Sequence, residues 1–369
     1  MMKKLELTGN AKAIGYKHGQ EGKDQVLKSL ETYERLFHGY QQIDWSTVKE
    51  RAKIHIPAIE RYDETMLTEM QGIAAGAGVD FEDILALNAR SEIALTGQSH
   101  TSFADGCTSI GMAPPYTEHT IIGQNWDWKG EQRDSLLQLH IEQHGRPTIA
   151  MVTEGGIIGK IGMNSSSVAV GLNALITDRK TDGVPIHLGL RAVLNASSLS
   201  ESLAAVQEGQ LASSANFLIG ASEGTSTGMA LQVEVSPYGA FITNEDASIG
   251  VHTNHLCAEH LKIHVNDHNN FRLSDSEIRK RRAEQLIRTA QRQGTPLTEE
   301  TMKDWLQDTF NAPNAINHYV NLNAPTHRQM ETVFSIVMNV TKQRLHICDG
   351  MPIEKPYEEY GVTVKEEVE

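Results

Sequence analysis

At Asp105-Gly106-Cys107-Thr108-Ser109, the sequence pattern of the 369-residue chain changes. Before this point, apolar residues recur at three- and four-residue spacing, as in 25–37 and 47–70, which is typical of helices. After it come short apolar runs separated by turn residues, which are typical of strands. The strands predicted from these runs are 108–112, 120–126, 136–141, 148–153, 168–172, 216–220, 229–235, 240–243, 332–339 and 344–348. The sequence therefore predicts a helical segment up to residue 106 and a strand-rich part from 107 to 369.

Helices also interrupt the strand-rich part of the chain. Periodicity predicts them over 186–194, 200–208 and 297–309. The capping-box pattern Ser274-Asp275-Ser276-Glu277 predicts a further helix that runs to about residue 290. Strands, a helical block and more strands, in that order, favour an α+β fold with layered sheets over an alternating parallel sheet.

Composition excludes several functional classes. The formal net charge of −14 argues against nucleic acid as a partner, because phosphate binding needs clustered Lys and Arg. No apolar stretch reaches about 18 residues, so we expect no membrane-spanning helix. Lys3 and Lys4 are not followed by the apolar run of a signal peptide. Three cysteines cannot all pair, and we expect a cytoplasmic protein.

Cys107 follows a glycine at the start of a predicted strand, which suits it to attack the carbonyl group of residue 106. Glycine leaves that carbonyl unhindered and permits unusual backbone angles. An N-to-S acyl shift would give a thioester, and water would then release residues 1–106. The new α-amino group has a reference pKa of about 7.7–8.0, and the thiol of the same residue has one of about 8.5. The amine can therefore act as the base for the thiol.

The segment Gly123-Gln124-Asn125-Trp126-Asp127-Trp128 ends the next predicted strand. A hairpin of this length would return Asn125 and Asp127 close to Cys107. An asparagine can donate to an oxyanion, and an aspartate can hold the new ammonium group or orient the nucleophile. Asp105 and Asn125 are the predicted supporting residues. The alternative is an ordinary turn with two tryptophans packed at the surface.

Six motifs carry a resemblance to a known family. They are 14–19, 69–78, 83–92, Asp105-Gly106-Cys107-Thr108, Gly123-Gln124-Asn125-Trp126-Asp127 and His252-Thr253-Asn254-His255. The chain resembles the acyl-coenzyme A:6-aminopenicillanic acid acyltransferase (penicillin acyltransferase) family of N-terminal-nucleophile enzymes over nearly its whole length. The last three motifs, in that order, are the most specific.

The resemblance implies a four-layer αββα fold and cleavage between Gly106 and Cys107. It implies Cys107 as the nucleophile, Asp127 as a supporting residue and Asn254 as the oxyanion-hole side chain. The implied substrates are acyl amides or acyl thioesters, processed through an acyl-enzyme without cofactor or metal. The 1–106 fragment would stay bound to 107–369 in one structural domain. Hydrolysis and acyl transfer share the same acyl-enzyme.

The chain departs from the family at one position. A fungal member of the family has an arginine just before the strand that matches 332–337. Here Glu331 occupies that region, with Arg328 nearby. The role of that arginine is therefore not transferred to this chain.

Two other functions remain open at this point. One is an uncleaved binding protein on the same fold. The other is a zinc hydrolase, because the segment from His252 to His268 holds five histidines and Cys257. The segment lacks an HExxH pattern and a paired cysteine spacing, which favours solvated or hydrogen-bonded histidines.

Four further patterns are interpreted as structural. The GxSxG match at 220–224 leads into a predicted hairpin turn, whereas a nucleophile elbow must lead into a helix. The glycines at 155, 156 and 159 lack the context of a phosphate loop. The basic run 279–282 is offset by glutamates and is predicted to be a solvated helix face. Cys257 and Cys348 are predicted to be packing residues.

Overall fold

Two β-sheets lie face to face in the computed structural model, which describes residues 2–94, 106–207, 209–269, 271–324, 326 and 329–362. The first sheet has eight strands in the order β1-β4-β5-β6-β7-β8-β9-β10. Their bounds are β1 Lys3–Gly9, β4 Leu136–Gln143, β5 Ile149–Glu154, β6 Ile161–Asn164, β7 Val168–Ala174, β8 Ala215–Gly224, β9 Thr227–Ser236 and β10 Gly239–Ile242. Strands β1 and β4 are parallel, and the other neighbours are antiparallel.

The second sheet has six strands in the order β11-β2-β3-β12-β13-β14, with antiparallel neighbours throughout. Their bounds are β2 Gly106–Met112, β3 Ile121–Trp128, β11 Ile249–His252, β12 Glu331–Asn339, β13 Arg344–Cys348 and β14 Glu358–Gly361. Strands β2 and β3 face β7, β8 and β9 of the first sheet. One polar link between the sheets runs from the Leu172 backbone N–H to Gln124 Oε1, at 2.8 Å.

Helices cover the outer face of each sheet. Those of the described residues are α1 Ala11–Glu21, α2 Lys23–Leu36, α3 Trp45–Lys53, α4 Ile56–Ala77, α5 Phe81–Asn88, α6 Arg90–Ala94, α7 Ile186–Asn195, α8 Leu199–Ala204, α9 Glu277–Gln293 and α10 Glu299–Leu306. Helices α1, α2, α7 and α8 pack on the first sheet, and α9 and α10 pack on the second. The predicted α+β class and its four αββα layers are confirmed.

The N-terminal helices share one core with the strands. Strand β1 adds to the edge of the first sheet beside β4, and Leu5 and Leu7 are buried in the main apolar core. The buried side chains of Glu69 in α4 and Arg191 in α7 form an ion pair at 2.9 Å. Glu92 Oε1 accepts a hydrogen bond from the Ile186 backbone N–H at 2.9 Å. The two sides of residue 106 are therefore tied together by apolar and polar contacts.

Glycines allow α1 and α4 to cross at close range, which explains the motifs 14–19 and 69–78. A Cβ atom on Gly15 would lie 2.0 Å from the Glu69 carbonyl oxygen, and one on Gly76 would lie 2.1 Å from that of Tyr16. Because backbone atoms cannot withdraw as a flexible side chain can, both positions require glycine.

Several helix boundaries differ from the prediction. The helix predicted over 47–70 is two helices, α3 and α4. The predicted capping box at Ser274 is wrong, because a π-helical turn spans Arg272–Ser276 and α9 begins after it at Glu277. The structure confirms a β8–β9 hairpin at the GxSxG match. Across the described part of the chain, every helix is too short or too polar to cross a bilayer.

Candidate active site

Cys107 is the second residue of β2, in a hairpin with β3. It lies opposite Trp126, and Gly106 lies opposite Asp127. The predicted hairpin, which returns Asn125 and Asp127 close to Cys107, is therefore confirmed, with Asn125 opposite Thr108. Because side chains alternate along a strand, Cys107 and Trp126 share one face of the sheet and Asp127 points to the other. Cys107 is 1% exposed in the continuous chain.

Crowding by Asp127 explains the glycine before Cys107. A Cβ atom on Gly106 would lie 3.0 Å from the Asp127 Cβ, 3.2 Å from its Oδ2 and 3.1 Å from the Met330 Cε. Gly106 lies in an extended strand and is not among the glycines with positive φ. The expectation of unusual backbone angles was therefore wrong, and close approach of a carboxylate is the physical reason.

Asp127 is fully buried in the second sheet. Thr332, opposite it on β12, donates its hydroxyl hydrogen to Asp127 Oδ1 at 2.7 Å. The carboxylate is thus held beside the bond between residues 106 and 107.

Asn254 contacts the backbone of Cys107. It follows β11, which pairs with β2, so the sheet itself brings the two residues together. Asn254 Oδ1 accepts a hydrogen bond from the Cys107 backbone N–H at 2.7 Å, and Nδ2 donates to the Ala174 carbonyl oxygen at 3.1 Å. The nitrogen that would become the α-amino group after cleavage is therefore already held by the Asn254 amide.

The loop around Asn254 is fixed by its own hydrogen bonds. The Asn254 N–H donates to Ser276 Oγ at 2.8 Å, and Asn269 Nδ2 donates to the Asn254 carbonyl oxygen at 2.6 Å. His255 Nδ1 also contacts Ser276 Oγ at 2.8 Å. These bonds fix the position of the Asn254 side chain.

Arg279 is a site residue that the sequence analysis missed. Its side chain is 1% exposed, so the prediction of a solvated face over 279–282 is wrong for this residue. Its Nη1 donates to the Cys107 carbonyl oxygen at 2.6 Å and to Thr108 Oγ1 at 3.0 Å, and its Nη2 donates to Asn254 Oδ1 at 3.0 Å. The guanidinium group thus joins strand β2 to the Asn254 amide.

Helical periodicity could have identified Arg279. It shares the buried face of α9 with Ala283, Ile287 and Ala290, at helical spacing. By contrast, the side chain of Arg281 is 75% exposed. An arginine in line with the apolar face of a helix indicates a buried partner, whatever the charge of its sequence neighbours.

Arg279 remains a cation in this buried position. Burial by itself would lower its pKa, but Asp275, and then Asp127 and Cys107, raise it above the ordinary value. Asp275 accepts from Arg279 Nε at 2.6 Å. A permanent positive charge therefore lies beside Cys107.

Trp126 forms an apolar wall on the Cys107 face of the sheet. Lys160 Nζ lies 3.1 Å from the centroid of its ring, and the ring stacks near Trp128 with the two ring centroids 6.2 Å apart. Lys160 in turn contacts Glu154 Oε2 at 2.5 Å. Trp126 and Trp128 are 1% and 4% exposed, so the alternative of two surface tryptophans is wrong.

The remaining predicted residues lie apart from the thiol or outside the described part of the chain. Asn125 Nδ2 donates both of its hydrogens, to the carbonyl oxygens of Leu306 and Ile316 at 2.8 and 2.9 Å, and so anchors α10. Glu331 forms an ion pair with Arg133 at 3.2 Å. Asp105 and Arg328 lie outside the described residues.

The histidines of the His252–His268 segment contact different partners, although the rings of His252 and His255 stack with centroids 6.3 Å apart. His252 Nε2 contacts Glu234 Oε1 at 2.7 Å, whereas His255 contacts Ser276. His260 stacks near Phe241 and His264 near Tyr238, with ring centroids 5.8 and 5.0 Å apart. These contacts favour hydrogen-bonded and stacked histidines over a zinc site built from several of them.

Comparison with known proteins identifies sequence relatives. A family model described as acyl-coenzyme A:6-aminopenicillanic acid acyl-transferase matches residues 116–353, a region that contains Asp127, Asn254 and Arg279. The 40 kDa form of acyl-coenzyme A:6-aminopenicillanic-acid-acyltransferase from Emericella nidulans is 34% identical over 256 residues. That alignment covers 68% of this chain and 69% of the relative.

Solved structures give more distant matches. A mutant of conjugated bile acid hydrolase from Clostridium perfringens aligns with a TM-score of 0.45 and 11% identity, over 69% of this chain and 96% of that one. Penicillin V acylase from Agrobacterium tumefaciens aligns with a TM-score of 0.38 and 10% identity, over 66% and 82% of the two chains.

Proposed function

Because the chain belongs to the acyl-coenzyme A:6-aminopenicillanic acid acyl-transferase family, we propose that it is a self-processing enzyme with Cys107 as its N-terminal nucleophile. Its substrates are N-acyl amides or acyl thioesters. The observation that carries the proposal is the 2.7 Å hydrogen bond from the Cys107 backbone nitrogen to Asn254 Oδ1. That bond holds the nitrogen atom whose release as an amine would create the catalytic base.

Maturation begins when Cys107 Sγ attacks the carbonyl carbon of Gly106. The C–N bond breaks, a thioester forms and the nitrogen of residue 107 leaves as an amine. Water then hydrolyses the thioester, which gives a carboxylate on Gly106 and a free thiol. Burial supports this order of events, because a thiol that is 1% exposed cannot meet a substrate until the chain around it changes.

The 1–106 fragment stays bound after cleavage. Strand β1 hydrogen-bonds along β4, and the Glu69–Arg191 ion pair crosses between the two parts. Separation would expose the shared apolar core and leave a buried charge without its partner, which is strongly unfavourable.

Turnover uses the new amine and the fixed charges around it. The α-amino group accepts the Cys107 thiol proton, and the Arg279 cation favours the thiolate. The sulfur attacks the acyl carbonyl, and the second hydrogen of Asn254 Nδ2 is available to the oxyanion, since Ala174 accepts the first. The leaving amine or thiol takes the proton, and water or an amine then receives the acyl group.

We expect Asn254→Ala to lower turnover by about 10²–10³, the usual cost of losing one oxyanion donor. Asn254→Asp separates the two roles of the amide, because it keeps an acceptor for the residue 107 nitrogen but has no NH₂ group. The Asp variant should mature and fail to turn over. Single-turnover rates and fragment masses measure both steps, and wild-type turnover in a folded Ala variant would refute the oxyanion role.

We expect Asp127→Asn to slow both maturation and turnover by about 10²-fold, the lower end for a positioned acid–base group. The change is isosteric, so it removes the negative charge beside Gly106 with little change of shape. Thr332→Val is the control that keeps the Asp127 charge, because it removes the hydroxyl that donates to Asp127 Oδ1 and accepts from the His318 N–H, and its effect on both rates should be smaller. Equal rates in Asp127→Asn and wild type would contradict the role of Asp127.

A substrate screen tests the proposed activity directly. Purified mature protein is mixed with panels of N-acyl amides and acyl thioesters, and intact mass identifies any acyl adduct on the 107–369 fragment. Adducts that are absent from Cys107→Ala would support the proposal. A chain that is folded, uncleaved and unreactive with both N-acyl amides and acyl thioesters would instead favour an uncleaved binding protein on the same fold.

A further inference from the structure

Glu234, His252 and Cys257 form a second chemical cluster, outside the contacts around Cys107. One ligating atom from each residue lies within 4.8 Å of the others. Glu234 and His252 are fully buried, and Cys257 is half-buried. We propose that these three side chains bind a thiophilic divalent metal ion, with Zn²⁺ as the best match.

His252 is oriented as a metal ligand. Its Nδ1–H donates to the Thr253 carbonyl oxygen at 2.8 Å, and this bond fixes the ring so that Nε2 faces Glu234. Ligating histidines commonly donate their other ring N–H to a carbonyl or carboxylate in this way. His252 Nε2 lies 2.7 Å from Glu234 Oε1, so a metal ion with bonds of about 2 Å would displace the proton between them and move the two atoms about half an ångström farther apart.

The Glu234 carboxylate is fixed by backbone donors. Its Oε1 accepts from the Cys257 N–H at 2.6 Å, and its Oε2 accepts from the Ala258 N–H at 2.8 Å. These bonds leave the carboxylate little freedom to turn and hold the Cys257 backbone against it. Two of the three ligands are therefore positioned before any metal binds.

Cys257 provides the third ligand and the access route. It lines a groove of about 510 Å³ that the carboxylates of Glu245, Asp246 and Glu284 also line. Lys280 and Arg288 line the same groove, and Lys280 is paired with Glu284 at 2.5 Å. An open side at the thiol lets a cation enter and leaves room for water as a fourth ligand.

The donor set indicates the class of metal. Thiolate and imidazole ligands select Zn²⁺ and similar transition metals, whereas Mg²⁺ and Ca²⁺ prefer oxygen ligands alone. The site uses one histidine of the His252–His268 segment and a glutamate from β9, so it differs from the cluster of histidines considered from sequence. On this proposal Cys257, which the sequence analysis interpreted as a packing residue, is instead a ligand beside a groove.

The location gives the metal a structural role near Asn254. Asn254 lies between His252 and Cys257 in sequence, and a bound ion would tie this segment to β9. We therefore expect a higher melting temperature in saturating Zn²⁺. The site itself does not rest on the proposed acyl-transfer function.

Cobalt titration tests the site. Metal-depleted full-length protein should bind one Co²⁺ with a thiolate-to-metal charge-transfer band, and Zn²⁺ should displace it. Cys257→Ser should abolish the band and weaken Zn²⁺ binding at least about 10-fold, the scale of changes at metal sites. Cys107→Ser is the matched control and should keep the band.

Three outcomes would overturn the proposal. They are a wild-type protein without the band, a band that survives in Cys257→Ser, and a band that disappears in Cys107→Ser. The last result would assign the metal to the catalytic thiol. Because Cys257 is half-buried, its serine variant should fold, and an unchanged circular dichroism spectrum checks that it does.

Discussion

Cys107→Ala should remain a single chain of 369 residues and show no turnover, the largest effect that we expect on activity. Alanine has no nucleophile for either step, so neither the thioester to Gly106 nor the acyl-enzyme can form. Its buried position tolerates the smaller side chain, and the variant should keep the fold of the uncleaved protein.

Cys107→Ser separates the two steps that depend on Cys107. A serine hydroxyl is far less acidic than a thiol, and a weak amine activates it poorly. The variant should cleave slowly or not at all, and any cleaved fraction should turn over poorly. Gel analysis over time and single-turnover rates measure the two steps.

Alkylation provides an independent check of the nucleophile. Iodoacetamide should label Cys107 in the mature protein and abolish activity. Cys257 is half-buried beside a groove and could also react, so the experiment is best done in the Cys257→Ser background. Cys348 is buried and should not be labelled in the folded protein. Activity that survives complete, mapped alkylation of Cys107 would exclude it as the nucleophile.

Arg279→Met should cause the largest loss of stability among these variants, about 3–5 kcal/mol in the free energy of unfolding. The substitution leaves the buried Asp275 without its cation and removes the donors to the Cys107 carbonyl oxygen and to Asn254 Oδ1. Turnover should also fall, because the Asn254 amide loses a contact that orients it. Urea unfolding and single-turnover rates measure the two effects.

A double variant separates the structural role of Arg279 from its catalytic effect. Asp275→Asn in the Arg279→Met background removes the uncompensated charge, so stability should partly recover while turnover stays low. Arg281→Met is the matched control, because that side chain is 75% exposed, and it should change stability by no more than about 0.5 kcal/mol. Recovery of turnover together with stability would limit Arg279 to a structural role.

Local patterns in the sequence were sufficient to predict the frame of the site. Turn residues and short apolar runs predicted the β2–β3 hairpin, and the hairpin brings Asp127 beside Gly106. A strand fixes its neighbours by register, so spacing along the chain becomes proximity in space. The αββα layers came from the family resemblance and agree with the structure.

Contacts between distant segments could not be predicted in the same way. Arg279 and Cys107 are 172 residues apart in sequence, so no local pattern links them. The helix that carries Arg279 also begins after a π-helical turn at Arg272–Ser276, where the sequence predicted a capping box. Asn125 and Asp127 lie on the same face of β3, but Asn125 binds the end of α10. Its partner therefore depends on where that helix packs. Glu234 in β9 and His252 in β11 belong to different sheets and meet only because the sheets face each other, for which the sequence has no local signal.

Intact mass and N-terminal sequencing of purified wild-type protein test the central claim most directly. We predict two fragments, residues 1–106 and 107–369, that elute together and separate only on denaturation. The second fragment should begin Cys-Thr-Ser-Ile. An active enzyme with the mass of the continuous 369-residue chain, or with a new terminus at any other residue, would contradict cleavage between Gly106 and Cys107.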